Sequence, residues 1–200
     1  MGNKQGSLAN HLETASKTGA LAFPGKVIPA SEFSHNFFQR IFYFATSQKL
    51  EEFPDALQKV TGNLRNLDLS SNKITSVPKW IANFKHLKTL NLSGNQITVL
   101  PEEIGQLPKL ENLIISRNLL ASLPKSLGKL KNLKELDASG NHIKEFPVSL
   151  AQLNHLNSVN LSSNKIKTIP DGIEELQLTE LSLNQVSHTL HEQIFKFTLW

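Results

Sequence analysis

The chain has 200 residues, a net charge of +4 and no cysteine. That length suits one domain, and a cysteine-free chain fits a reducing, intracellular setting in which no disulfide caps the fold. No apolar run approaches the roughly 18 residues of a transmembrane helix, and the start lacks the apolar core of a signal peptide. Lys and Arg alternate with Asp and Glu, so the basic pI near 9.3 is spread along the chain; a nucleic-acid footprint needs a basic face instead.

Residues 1–20 form an opening segment that begins MGNKQGS. Removal of Met1 exposes Gly2 as an acceptor for N-myristoylation, although the motif's Ser or Thr position holds Gly6, with Ser7 one place late. Acylation of Gly2 is expected. A single myristoyl chain binds membranes only marginally, with K about 10⁴ M⁻¹, so a second contact is needed. Lys4 and Lys17 supply little of it. Ser7 to Lys17 reads as a short helix, capped by Ser7 and stopped at Gly19, with Leu8, Leu12 and Ala15 on one face that covers the first repeat.

Residues 21–49 read as a broken opening repeat. Leu21 and Phe23 fit the start of a strand, and Leu50, Phe53 and Pro54 fit its end, but Leu21 stands 29 residues before Leu50 where the pattern needs seven. The surplus is a Phe-rich stretch, 24–46, that matches no repeat position. Pro24-Gly25-Lys26 can be encoded across a splice-donor consensus, so intron read-through is one reading. The other is a loop whose Phe33, Phe37, Phe38, Phe42 and Phe44 dock on the fold or on a membrane. A long structureless insert counts against a built element.

From residue 50 to 185 one pattern dominates: five complete copies, partial at both ends. Copies begin at Leu64, Leu87, Leu110, Leu133 and Leu156, and each follows LxxLxLxxNxLxxLPxxLxxLxx. The marker Asn recurs as Asn72, Asn95, Asn118, Asn141 and Asn164, and the marker Pro as Pro78, Pro101, Pro124, Pro147 and Pro170, every 23 residues. A fixed period of that length means a solenoid. In LxxLxL the alternate apolar residues point to one face, as a strand requires. One copy cannot bury that face alone; stacked copies bury it against each other. The side-chain amide of the marker Asn donates and accepts, which suits a structural ladder over a turn. Strands stack about 4.8 Å apart, while the return segments after Pro are bulkier, so the array curves with its strands on the concave side. The expected fold is therefore an α/β repeat solenoid, an arc with a parallel concave sheet and short helical or irregular convex segments.

This pattern is that of the leucine-rich repeat. The opening MGN, HLETASKTG from His11 to Gly19, and LEEFPDALQKVTGNLRNLDLSSNKI resemble the short, LP-type, intracellular leucine-rich repeat proteins. The resemblance implies an N-terminally lipidated repeat protein with Gly2 as the acyl site and with no catalytic residue. Similar short repeats occur in Ras-binding repeat proteins that steer a phosphatase.

A sixth repeat starts at Leu178 as LTELSLNQ, but Val186 stands where the marker Asn should be. Residues 186–200 have no repeat character, and Gln185-Val186-Ser187 again fits a donor consensus. Truncation of the repeat array is the expectation, with a fold-back cap through Leu190, Ile194 and Phe197 as the weaker alternative.

No phosphate-cradling glycine loop and no catalytic triad stand out, and the close pair His188 and His191 lies in the tail. No enzyme, metal or cofactor is expected. The functional surface is expected on the concave face. Its central row is Asp68, Asn91, Ile114, Asp137 and Asn160, continued by Ser182, beside a serine row at Ser70, Ser93, Ser116, Ser139 and Ser162. Ile114 is apolar where its neighbours are polar, and Leu119 stands where other copies carry Lys73, Gln96, His142 or Lys165. Glu111, Asn112, Arg117, Glu135 and Asp137 would rim that centre, the anatomy of a protein interface. The expected function is a non-catalytic adaptor or regulator, lipid-anchored at the cytoplasmic face of a membrane with a cytosolic pool. Its partner would be an unidentified protein, not a nucleic acid. The alternatives are a soluble scaffold without lipid and a regulatory subunit for a small GTPase or phosphatase.

Overall fold

The computed structural model describes residues 21–23, 26–28, 42–44, 50–61, 64–170, 176 and 178–184. Gly2, the helix expected at Ser7–Lys17 and the tail 186–200 lie outside the described residues.

Two sheets are formed among the described residues. Strands β1 (Leu21–Phe23) and β2 (Lys26–Ile28) pair antiparallel as a hairpin. The second sheet has seven parallel strands in chain order: β3 (Phe42–Phe44), β4 (Asn66–Asp68), β5 (Thr89–Asn91), β6 (Asn112–Ile114), β7 (Glu135–Asp137), β8 (Ser158–Asn160) and β9 (Glu180–Ser182). Each strand advances the register by one repeat, so Leu67, Leu90, Leu113, Leu136 and Val159 sit side by side. The fold is the expected leucine-rich repeat arc.

The opening repeat differs from the sequence reading. Leu21–Phe23 does not start the sheet but pairs with Lys26–Ile28. The strand position goes to Phe42–Phe44, inside the stretch assigned to no repeat, with Tyr43 opposite Leu67. Tyr43 stands seven residues before Leu50, the same interval that separates Leu67 from Ile74. An aromatic triplet with high β propensity can fill that slot as Leu-x-Leu does.

On the convex side, each of the five described turns is a short 3-10 helix following a Pro: Asp55–Val60, Lys79–Asn83, Glu102–Gln106, Lys125–Lys129 and Val148–Gln152. The preceding Pro54, Pro78, Pro101, Pro124 and Pro147 hold φ between −66° and −75°, the value the ring imposes. Between sheet and helices runs one continuous core of Leu, Ile and Phe, including Leu57, Leu69, Ile81, Phe84, Leu92, Ile104, Ile115, Leu127 and Leu161. Each such side chain contributes about 1.5–3 kcal/mol relative to exposure. Near the first turns Trp80 packs edge-on to Phe53, with centroids 5.3 Å apart, and tilts against Phe84 at 5.9 Å.

The marker asparagines are buried and tie neighbouring repeats together. Asn118 is representative. Its Nδ2 donates to the Ile115 carbonyl of its own strand and to the Leu92 carbonyl of the preceding one, while its Oδ1 accepts from the Ile97 N–H. Asn95, Asn141 and Asn164 repeat the arrangement one step along in each direction. Asn72 does so toward Leu69 and the Leu50 N–H. A residue with two donors and an acceptor meets three buried backbone groups that water cannot reach.

Candidate functional site

The concave face is built from side chains that alternate with the buried leucines. Four of the five central-row residues are occupied locally. Asp68 Oδ1 accepts from the Ser70 N–H, and Asn160 Oδ1 from the Ser162 N–H. Asn91 Oδ1 accepts from both the N–H and the hydroxyl of Ser93, and Asp137 Oδ1 does the same for Ser139. Each is an Asx turn that closes the end of its own strand. Asn91 also donates to Asp68 Oδ2 at 3.1 Å. The alternation of Asp and Asn with Ser two residues on is therefore a structural device, and that spacing was the signal for it.

Ile114 breaks this device. It lies in register between Asn91 and Asp137, half-buried, and has no oxygen to offer the buried Ser116. The same repeat departs from its neighbours twice more. Leu119 is exposed, at 43%, where Lys73, Gln96, His142 and Lys165 are the exposed equivalents. Arg117 holds φ 53° in a column whose other members are Ser71, Gly94, Gly140 and Ser163, all with φ between 56° and 66°. That left-handed position turns the chain off the strand. Any residue with a Cβ stores strain of order 1–3 kcal/mol there, as Ser71 and Ser163 also do, and Arg117 is the bulky member among small residues. Its aliphatic stem lies over Gly140, where a Cβ would come within 3.3 Å of Arg117 Cγ. Among the described residues no acid pairs with the Arg117 guanidinium. Ile114, Arg117 and Leu119 thus follow one another outward along a single repeat.

The acidic rim is less free than its sequence indicates. Lys134 Nζ donates to Glu111 Oε2 at 2.8 Å and Lys88 Nζ donates to Oε1. Those two ammonium groups, Lys134 foremost, hold the Glu111 carboxyl down to about 2. Lys88, Glu111 and Lys134 lie 23 residues apart in sequence, so the repeat period brings the three side chains together. Asn112 and Glu135 are opposite one another in β6 and β7, half-buried and exposed respectively. Exposed Val99, at 68%, was not among the expected site residues; it stands where the other copies carry Ser76, Ser122, Glu145 and Thr168, and that apolar break in a polar column was its signal.

Residues 55–136 match the family model for a leucine-rich repeat region, and residues 131–177 match that for leucine-rich repeats in two copies. A leucine-rich repeat protein of Leptospira interrogans is 39% identical, with a TM-score of 0.67, over 72% of this chain and 36% of that one. A chain of the PEPR1–AtPEP1 crystal structure is 26% identical, with a TM-score of 0.61, over 68% of this chain and 20% of that one. The chain thus spans about a third of the first protein's length and a fifth of the second's. With both family models lying on its repeats and a parallel concave sheet beneath them, the chain belongs to the leucine-rich repeat superfamily.

Proposed function

We propose that the chain is a non-catalytic adaptor or regulator that captures a protein partner on its concave face, centred on Ile114, Arg117 and Leu119. Leucine-rich repeats commonly serve as protein-binding modules. The observation that carries the reading is Ile114, which forgoes the strand-closing hydrogen bond that Asp68, Asn91, Asp137 and Asn160 make. Breaks of a local rule in a regular array are expected at functional or strained sites. An apolar centre with the unpaired Arg117 beside it and Asn112, Glu135 and Asp137 around it has the make-up of an interface hot spot. Affinity capture with purified wild type and Ile114→Asp, both shown to be folded by their melting curves, tests this. Loss of the captured protein in the variant supports the site, and equal capture sinks it.

The address of the adaptor is the second part of the proposal. The start of the chain resembles leucine-rich repeat-containing protein 57 through MGN and His11–Gly19, and on that likeness Gly2 carries a myristoyl group that holds the protein at the cytoplasmic face of a membrane. Cells fed an alkyne-tagged myristate should label wild type and not Gly2→Ala, with membrane association lost together with the label. No label in either, with the protein soluble, leaves the soluble scaffold as the reading.

A further inference from the structure

We infer that the flank of the solenoid leading into the strands is a docking surface for anionic lipid headgroups. Backbone hydrogen bonds from the Lys88, Glu111, Lys134 and Asn157 N–H groups to the Arg65, Lys88, Glu111 and Lys134 carbonyls line up these positions across successive repeats. The turns just before them add exposed Lys85, Lys109 and Lys131. Six cations, Arg65, Lys85, Lys88, Lys109, Lys131 and Lys134, therefore share one edge whose span is three strand-to-strand steps, about 15 Å. The opposing acid on that edge is Glu111, already held by both Lys88 and Lys134, and Glu135 is next inward on the strand. The whole chain carries only +4, yet these six cations face one acid along this edge, while Lys73, Lys144 and Lys165 lie elsewhere. The 23-residue period does this, because it stacks Lys and Arg from different copies into one row.

The positions fall just before the strands of successive repeats, so their cations recur at the strand spacing along one side of the sheet. An anionic leaflet offers charge to all of them at once. A single nucleic-acid strand would want aromatic platforms, and the aromatic side chain in this part of the fold, Phe84, is fully buried. Lys109 Nζ lies 3.2 Å from His86 Nδ1, and Lys131 Nζ donates to the Gly128 and Gln152 carbonyls. Those contacts position both ammonium groups while leaving their charge uncancelled. The inference rests on the membrane half of the reading above, where one acyl chain needs a second contact, but it requires no acyl group to be tested.

The test is sedimentation of the full, unacylated chain with phosphatidylserine–phosphatidylcholine vesicles and with phosphatidylcholine vesicles alone. Each cation near an anionic leaflet is worth roughly a five-fold gain in partitioning. The combined variant Lys85→Gln, Lys109→Gln, Lys134→Gln should then lose binding about 100-fold. The matched variant Lys73→Gln, Lys144→Gln, Lys165→Gln, on the opposite flank, should lose little, and salt should abolish wild-type binding. Equal sedimentation with both vesicle types overturns the proposal, as does equal loss in the two variants or a preference for single-stranded RNA over vesicles. Repeating the assay with acylated protein separates the two ideas. Phosphatidylserine dependence without any label on Gly2 leaves the basic edge standing and removes the lipid anchor; label without phosphatidylserine dependence does the reverse.

Discussion

Gly140 makes room for Arg117. The two residues occupy the same left-handed position in successive repeats, with φ 63° and 53°, and a Cβ on Gly140 would stand 3.3 Å from Arg117 Cγ. The one bulky member of that column is thus accommodated by a neighbour with no side chain.

Gly140→Ala is expected to cost about 1–2 kcal/mol, through left-handed strain and the displaced Arg117 stem. It should appear as a lower denaturant midpoint with an unchanged slope. Arg117→Gly should stay within about 1 kcal/mol of wild type, because relief of strain offsets the entropy of a new glycine. Partner capture should fall all the same. A large stability loss in Arg117→Gly would show that the Arg serves the fold.

Ile114→Asn restores the acceptor that closes the other strands. One net hydrogen bond is worth about 0.5–1.5 kcal/mol, and loss of a half-buried Ile removes a similar amount. Stability should therefore move by less than about 1 kcal/mol, while partner capture weakens. Thermal melts and affinity capture on the same preparations read both quantities.

Asn118→Ala leaves the Ile97 N–H and the Leu92 and Ile115 carbonyls without the groups they bond. Each orphaned buried group costs about 1–3 kcal/mol, so a total near 3–5 kcal/mol is expected. Urea unfolding measures it. A loss below about 1 kcal/mol would mean that water or a shifted backbone replaces the ladder.

The pH response of stability has a defined sign at Glu111. Its carboxyl is held near 2 in the folded chain by Lys134 and Lys88, against 4.5 for the free group. The folded state therefore binds the proton less readily than the unfolded one. The stabilisation is fully present above pH 4.5 and is lost as pH falls toward 2. With the side chain about a quarter exposed, solvent and salt screening hold the effect to about 1 kcal/mol or less. Glu111→Gln should flatten the melting-temperature profile between those two pH values; an unchanged profile would show that the two ion pairs contribute nothing to stability.

Much of this was readable from the sequence because the repeat writes its geometry at a fixed spacing. The inward leucines, the asparagine ladder, the prolines that start the convex turns and the register of β4 to β9 all follow from residues that recur in phase. The break at Ile114 and Leu119 was visible for the same reason, as two misfits in otherwise regular columns. The Lys88–Glu111–Lys134 contact also lies at one period.

The tertiary structure alone decided three things. It gave the opening strand to Phe42–Phe44, since backbone pairing accepts aromatic residues as readily as Leu. It showed that Oδ1 of Asp68, Asn91, Asp137 and Asn160 closes its own strand through a nearby backbone N–H. And it aligned Arg65, Lys88 and Lys134 from successive repeats along one edge. Charge along a chain is one-dimensional, and only stacking at a fixed period converts residues 23 apart into neighbours about 4.8 Å apart.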